Sequence, residues 1–365
     1  MSQLSIAVPR ETVPGEKRVA LVPEVAGRLV KQGMAVTVER GAGEAARFQD
    51  PAYTAAGAVL APDPDSVYRG AGIILKVQPP TAQEAGRLPA DSILICHIQP
   101  ARDAEIVRSL AGRGVKVLSM NMVPRITRAQ SMDALSSQAT VAGYRAVLIG
   151  SAAMGRFLPM LVTAAGTLPP ATAFVLGAGV AGLQAIATAR RLGANVRAFD
   201  VRPEVKEQVE SLGATFVAAE AVAKDATVAG GYAREATEDE RARQAAAIAK
   251  HVAESDLVIA TANVPGRKAP LLITAEMVKA MKPGAVIVDL AAESGGNCEL
   301  TKAGETVQAG GVTILGPVNL PAEMPTHASQ MYARNLLAVL GVLVRDGAIT
   351  MEDEVVKAML VKEGA

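Results

Sequence analysis

Tryptophan is absent and aromatic residues make up only 3% of the chain, so a surface that binds nucleic acid by stacking bases on aromatic platforms is excluded. Neither sign of charge is in excess: 37 lysines and arginines face 36 acids, for a net charge of +1, which gives no long-range field to gather nucleic acid or an anionic membrane. Any partner must be recognised locally. Only two cysteines occur, Cys96 and Cys298, without CxxC spacing. This argues against a disulfide framework or a structural zinc site and points to a reducing cytosol. Long apolar runs are missing too. Leu336–Val344, with Gly341 inside it, is about half a membrane-spanning helix, and Met1–Arg10 has no basic stretch followed by an apolar core. A soluble chain without direct membrane insertion is expected.

What remains is 365 residues, 50% hydrophobic and 20% charged, too much chain for one ordinary core and suggestive of two domains. Leu4–Val8, Ala35–Glu39, Gly72–Val77, Ser92–His97 and Val115–Met120 read as strands, and Pro23–Lys31 and Ala104–Gly112 as helices. A second series of strands is Ala173–Leu176, Asn195–Phe199, Thr215–Val217, Leu257–Ala260, Val286–Leu290 and Val312–Leu315. Helical patterns lie between them at Val180–Leu192, Pro203–Leu212, Glu238–Val252 and Thr274–Met281. Strands separated by helix-length segments imply parallel crossover units. The expected fold is α/β, with two Rossmann-like doubly wound parallel-sheet domains joined by long helices over Asp133–Arg156 and His327–Val344. Expected bounds are 1–133 plus 327–365 for the first, discontinuous domain and 134–326 for the second, with a ligand in the interval between them. Ala218–Glu238, carrying Gly230, Gly231 and Tyr232, inserts about twenty residues where two to six are usual, so it is either disordered or functional.

The strongest motif is Ala173-Phe-Val-Leu-Gly177-Ala-Gly179-Val180-Ala181-Gly182-Leu-Gln-Ala, a GxGxxG directly after an apolar strand and opening a helix. Gly177 makes the tight turn, Gly179 lets the backbone approach a pyrophosphate, and Gly182 allows the helix to lie close on the strand. Amides at Val180 and Ala181 then face phosphates. Asp200 ends the next strand about twenty residues on, where a carboxylate accepts ribose hydroxyls; Val201 and Arg202 follow it. The acid favours NAD over NADP, while Arg202 keeps a 2′-phosphate open. A second match, Gly41-Ala-Gly43-Glu44, would point an acid at phosphate and reads as a tight turn, so one dinucleotide per chain is expected.

Pro124–Asp133 packs Arg125, Arg128, Gln130 and Asp133 into the hinge before the long helix. Ser131 or Asp133 can serve as an N-cap with the arginines as a solvated face. Alternatively, these donors and acceptors fix a nicotinamide carboxamide, with Arg125 paired to Asp133 to hold Gln130. Lys76, His97 and Glu293 stand at strand ends and could form a small-molecule acid/base pocket. His251 and His327 show no evident partner.

Together, Val8-Pro-Arg-Glu-Thr-Val-Pro-Gly-Glu-Lys-Arg18-Val-Ala-Leu-Val-Pro, Met122–Gln138, Ala142-Gly-Tyr144-Arg-Ala and Gly177–Gln184 give a chain that closely resembles proton-translocating NAD(P) transhydrogenase. The match is to its soluble NAD(H)-binding component and covers nearly the whole chain. The resemblance implies direct hydride transfer from NADH to NADP+ held by a partner component, coupled to proton translocation by membrane-spanning subunits. It implies a homodimer, peripheral on the cytoplasmic face of the inner membrane through those subunits. It gives Arg125, Gln130 and Asp133 to the nicotinamide, makes Ser136 and Tyr144 further nucleotide-site residues, and closes the loop with Gly231 and Tyr232 over the nucleotide. The alternative is alanine dehydrogenase, which deaminates L-alanine with NAD and whose substrate-pocket positions match Arg18, Lys76 and His97. Glu293 stands where that family has aspartate, and Arg125–Asp133 follows the transhydrogenase pattern. A non-catalytic NAD sensor would need Gly177 and Asp200 but not the hinge loop.

Overall fold

Six short β-rich runs pair into one parallel sheet: β1 (Ser5–Val8), β2 (Ala35–Glu39), β3 (Val59–Ala61), β4 (Ile73–Leu75), β5 (Ile93–Cys96) and β6 (Lys116–Ser119), in the order β3-β2-β1-β4-β5-β6. The structure is a computed structural model and describes residues 3–217, 237–263 and 268–362; Gly230, Gly231 and Tyr232 lie outside them. Parallel neighbours need long crossovers, and helices such as Pro23–Lys31 and Ala104–Ala111 supply them. The first has proline in its first turn, where no amide is needed, and buries Val25, Ala26 and Leu29. Strands β4 and β5 are buried along their whole length, which is why they are unbroken apolar runs rather than alternating ones. One face of the sheet, with Ile6, Val8, Ile73 and Leu75, packs with Tyr332, Leu336 and Leu340 of the helix Pro325–Leu343. The other, with Ala7, Ile74 and Leu94, packs with Tyr68, Leu88 and Leu110.

The chain divides into two compact units, Met1–Gln138 with Pro321–Ala365, and Ala139–Leu320. The helix Ala134–Ala153 carries the chain from the first into the second. After this helix comes a hairpin, β7 (Leu161–Thr163) and β8 (Gly166–Leu168). The main sheet of the second unit contains β9 (Thr172–Leu176), β10 (Asn195–Phe199), β11 (Thr215–Val217), β12 (Leu257–Ala260), β13 (Val286–Asp289), β14 (Thr306–Ala309) and β15 (Val312–Leu315), ordered β11-β10-β9-β12-β13-β15-β14. All pairs are parallel except β14 with β15. In both units the chain builds outward from its first strand on one side and then returns to the other side, the doubly wound order expected from sequence. Among the described residues no helix is long and apolar enough to cross a membrane.

Candidate nucleotide-binding site

At the carboxyl end of β9 the chain must leave an extended strand and enter the helix Val180–Arg191 within three residues. Gly177 does this with φ +94°, a left-handed value costly to any residue with a Cβ, and a side chain there would meet Thr261 Oγ1 at 2.7 Å. Gly182 lies so close to the turn that a Cβ would overlap the carbonyl oxygen of Gly177. Gly179 differs from both. Its φ is −76°, and a Cβ would meet nothing within 4 Å. Neither backbone strain nor packing requires glycine at 179, so the backbone at this N-cap position is left uncovered by any side chain. As the N-cap it supplies no side-chain acceptor to the first helical turn, and amides left without such a partner at a helix start are the groups that can receive an anion.

The neighbouring strands fix this turn. Gly177 N donates to Phe199 O at 2.8 Å, and Thr261 N donates to Leu176 O at 2.8 Å. The Thr261 hydroxyl is also 3.1 Å from Leu176 O and 3.0 Å from Gly177 O. The turn therefore sits between β10 and β12, where the winding reverses, and open α/β sheets hold ligands there. Asp200, buried at the end of β10, accepts a hydrogen bond from Ala178 N at 2.7 Å. Arg202 closes on the same carboxylate through Nε and NH2, both at 2.9 Å, and through its backbone N at 2.9 Å. The arginine that left a 2′-phosphate open in the sequence is thus engaged by the acid, with half-buried Val201 between them. Tyr144 is 37% exposed on the helix Ala134–Ala153. Its neighbour Gly143 packs so tightly that a Cβ would overlap Ala181 O.

The glycine match of the first unit lies after β2 and not after that sheet's first strand, β1. At Gly43 a Cβ would lie 2.5 Å from Phe48 O and 2.7 Å from the Tyr53 hydroxyl, so the Gly41 turn is packed where the Gly179 backbone is open. Beyond β4, Lys76 is fully buried, with Nζ 2.9 Å from Glu84 Oε1 and 3.3 Å from Glu11 Oε2. Burial disfavours its charge, but the two carboxylates outweigh that and raise its pKa. Glu84 closes a capping box with Thr81, a Thr-x-x-Glu signal visible in the sequence. Arg18 is buried and clasps Glu16 through NH2 at 2.6 Å and Nε at 2.8 Å. Burial raises the Glu16 pKa, but the Arg18 hydrogen bonds and charge bring it down to about 2. His97 stacks on Tyr332 with ring centroids 5.1 Å apart and places Nδ1 2.7 Å from Asn121 Oδ1. Burial and the Arg18 charge push its pKa down to about 4. Lys76 is therefore an interior ion-pair partner and not a strand-tip charge facing a crevice, a difference its distant partners Glu11 and Glu84 explain. In the second unit, Glu293 is exposed in the turn Ala292–Ser294. His251 has partners after all, with Nδ1 3.0 Å from Arg197 NH1 and its ring against Phe174.

In the hinge loop, Ala129 and Met132 enter the first unit's core while Arg125 and Gln130 are exposed. Asp133 caps the helix Ala134–Ala153: Oδ1 accepts from Ser136 N at 2.9 Å and Oδ2 from Ser136 Oγ at 2.6 Å. The capping reading of Asp133 thus holds and brings Asp133 and Ser136 together. Arg128 ties the loop to Asp353 at 2.7 Å and Glu354 at 2.9 Å.

Residues 7–142 match the family described as alanine dehydrogenase/PNT, N-terminal domain, and residues 146–365 match its C-terminal domain. The chain is 47% identical to a Rhodospirillum rubrum protein named as the first part of NAD(P) transhydrogenase subunit alpha, over 99% of this chain and 97% of that protein. A solved transhydrogenase structure from Sinorhizobium meliloti superposes with a TM-score of 0.89 at 45% identity, covering 99% of both chains. Alanine dehydrogenase of Halomonas elongata is 31% identical over 99% of this chain and 94% of its own. The two-unit fold, the glycine turn and these matches agree: the chain belongs to the alanine dehydrogenase/PNT family.

Proposed function

We propose that this chain is the NAD(H)-binding component of a proton-translocating transhydrogenase. It binds NADH, presents the nicotinamide to NADP+ carried by a separate protein, and works as a homodimer with membrane-spanning subunits at the cytoplasmic face of the inner membrane. The observation that carries the nucleotide assignment is Gly179, a glycine whose absent side chain serves neither strain nor packing, beside the Asp200 carboxylate. The high identity to a protein named as a transhydrogenase subunit supports the reaction class.

When bound, the nicotinamide supplies a hydride at C4. The Gly177–Gly182 turn receives the pyrophosphate on the amides of Val180 and Ala181, and Asp200 takes the ribose hydroxyls, with Val201 and Arg202 beside it. Arg125, Gln130 and Asp133 orient the nicotinamide, and Ser136 and Tyr144 are further nucleotide-site residues. Direct hydride exchange moves no proton on or off a side chain, so these residues act by holding geometry and excluding water. Support against an amino-acid substrate comes from the lower identity to alanine dehydrogenase, 31%, than to the protein named as a transhydrogenase subunit, 47%.

The test mixes this chain with an NADP(H)-binding partner and follows hydride transfer from NADH to NADP+, with NADH oxidation by pyruvate plus ammonia as control. Transfer to NADP+ without the control reaction is expected. Activity in the control alone would replace the proposal with alanine dehydrogenase, and NADH binding without either reaction would leave a sensor.

A further inference from the structure

The hinge loop exposes Gln130 on its outer side, while its inner side ends on a chain of buried polar groups. Asn335, on the helix Pro325–Leu343, is 7% exposed. Its Nδ2 donates to Ser131 O at 2.8 Å, and its Oδ1 accepts from Ser137 Oγ at 2.7 Å. Gln138, 6% exposed, donates to Ser137 Oγ at 3.2 Å and to Ala328 O at 3.1 Å, and accepts from Arg18 NH1 at 2.8 Å. Arg18 is gripped by Glu16, which also accepts from Gln78 Nε2 at 2.8 Å. The first unit thus links Glu16, Arg18, Gln138, Ser137 and Asn335 in series to the carbonyl of the residue after Gln130.

This chain is costly to build. Removing a carboxylate and a guanidinium from water is unfavourable, and an apolar pair of equal volume often stabilises a fold as well or better. What an ion pair supplies instead is direction. With Nε and NH2 committed to Glu16, NH1 fixes which end of the Gln138 amide accepts, and this turns the amide nitrogen toward Ser137 and Ala328. Gln130 shares a peptide bond with Ser131, and its own carbonyl accepts from Asp133 N at 3.3 Å, so a shift of Ser131 displaces Gln130.

We infer that Asn335 and Gln138, backed by the Arg18–Glu16 pair, are positioning residues for hydride transfer that set the place of Gln130. The inference rests on the nicotinamide-orienting role proposed for the hinge loop. Hydride exchange is sensitive to small displacements, with about 1 Å costing on the order of a hundredfold in rate. The adenosine half of the nucleotide is instead assigned to the Gly177 turn and Asp200, which this network does not touch.

The test measures single-turnover hydride transfer from NADH to NADP+ with an NADP(H)-binding partner present, together with NADH affinity and thermal midpoint. Asn335→Ala and Gln138→Met are each expected to slow transfer by about 10- to 100-fold per folded protein, with NADH affinity changed less than about threefold. Because both act through one loop, the double variant should be no slower than about the slower single variant. Two variants are used so that poor folding of one leaves the other decisive. Wild-type transfer rates in the folded variants, equal losses of rate and affinity, or fully additive losses would overturn the inference while the functional reading stands. A wild-type chain that transfers no hydride would overturn both.

Discussion

Gly179 and Gly182 stand three residues apart in one turn but differ in what an added methyl would meet. At Gly182 an added methyl would overlap the backbone carbonyl of Gly177. A backbone atom cannot step aside as a flexible side chain can, so Gly182→Ala should cost about 1–3 kcal/mol through overpacking, less up to about 1 kcal/mol regained from helix propensity. In a unit of this size, each kcal/mol lowers the midpoint by about 2–4 °C, so a fall of about 5 °C is expected. At Gly179 the methyl meets nothing and φ is ordinary; Gly179→Ala should cost less than about 1 kcal/mol, reflecting the poorer N-cap. The same methyl stands where a pyrophosphate must reach the amides of Val180 and Ala181. NADH affinity should fall at least about tenfold, or about 1.4 kcal/mol. Thermal unfolding and NADH fluorescence titration of both variants separate the two effects. A Gly179→Ala variant that binds NADH as tightly as the wild type would refute the reading of this turn.

Asp200→Asn removes the partner that occupies Arg202, so NADH binding should weaken about tenfold while NADPH binding strengthens; an unchanged preference in paired titrations would move discrimination elsewhere. Gln130→Ala should slow hydride transfer far more than it weakens NADH binding, and equal losses would reduce it to a binding contact. His97 supplies a pH dependence. Its folded pKa of about 4 lies below the ordinary histidine value of 6.5, so between these values the unfolded chain holds a proton that the folded chain refuses. Its contribution to stability is complete above about pH 6.5 and is lost as pH falls toward 4. Glu11, whose pKa burial raises above the ordinary glutamate value, acts with the opposite sign. The informative quantity is therefore the difference between wild type and His97→Gln. That difference should shift over the window from 6.5 to 4, and parallel melting curves would exclude His97 as its source.

Much of the fold was legible because buried parallel strands are written as short apolar runs. The runs at Asn195–Phe199, Leu257–Ala260 and Val312–Leu315 are strands with those same bounds. Strands that carry little core were missed. Three-residue β3 pairs only with the end of β2, and β14 is an edge strand of exposed and half-buried residues. Its hairpin did leave a signal in Gly310-Gly311, both left-handed at φ +58° and +83°. The glycine spacing of the candidate site was equally plain, since all three glycines fall within six consecutive residues directly after a strand. The charged network was not, because its partners come from separate stretches. Glu11 follows β1 while Lys76 follows β4, and only the sheet order makes them neighbours. Arg18 and Gln138 meet in the same way, and nothing in the spacing of either shows it.

On the proposed function, this chain holds NADH so that its hydride passes straight to a nucleotide on another protein. This is tested most directly by supplying NADH deuterated at the transferable C4 position to this chain together with an NADP(H)-binding partner and NADP+. The account predicts that the deuterium appears at C4 of the NADPH formed, without washing into solvent. NADPH made with solvent hydrogen, or no transfer while NADH remains bound, would contradict it.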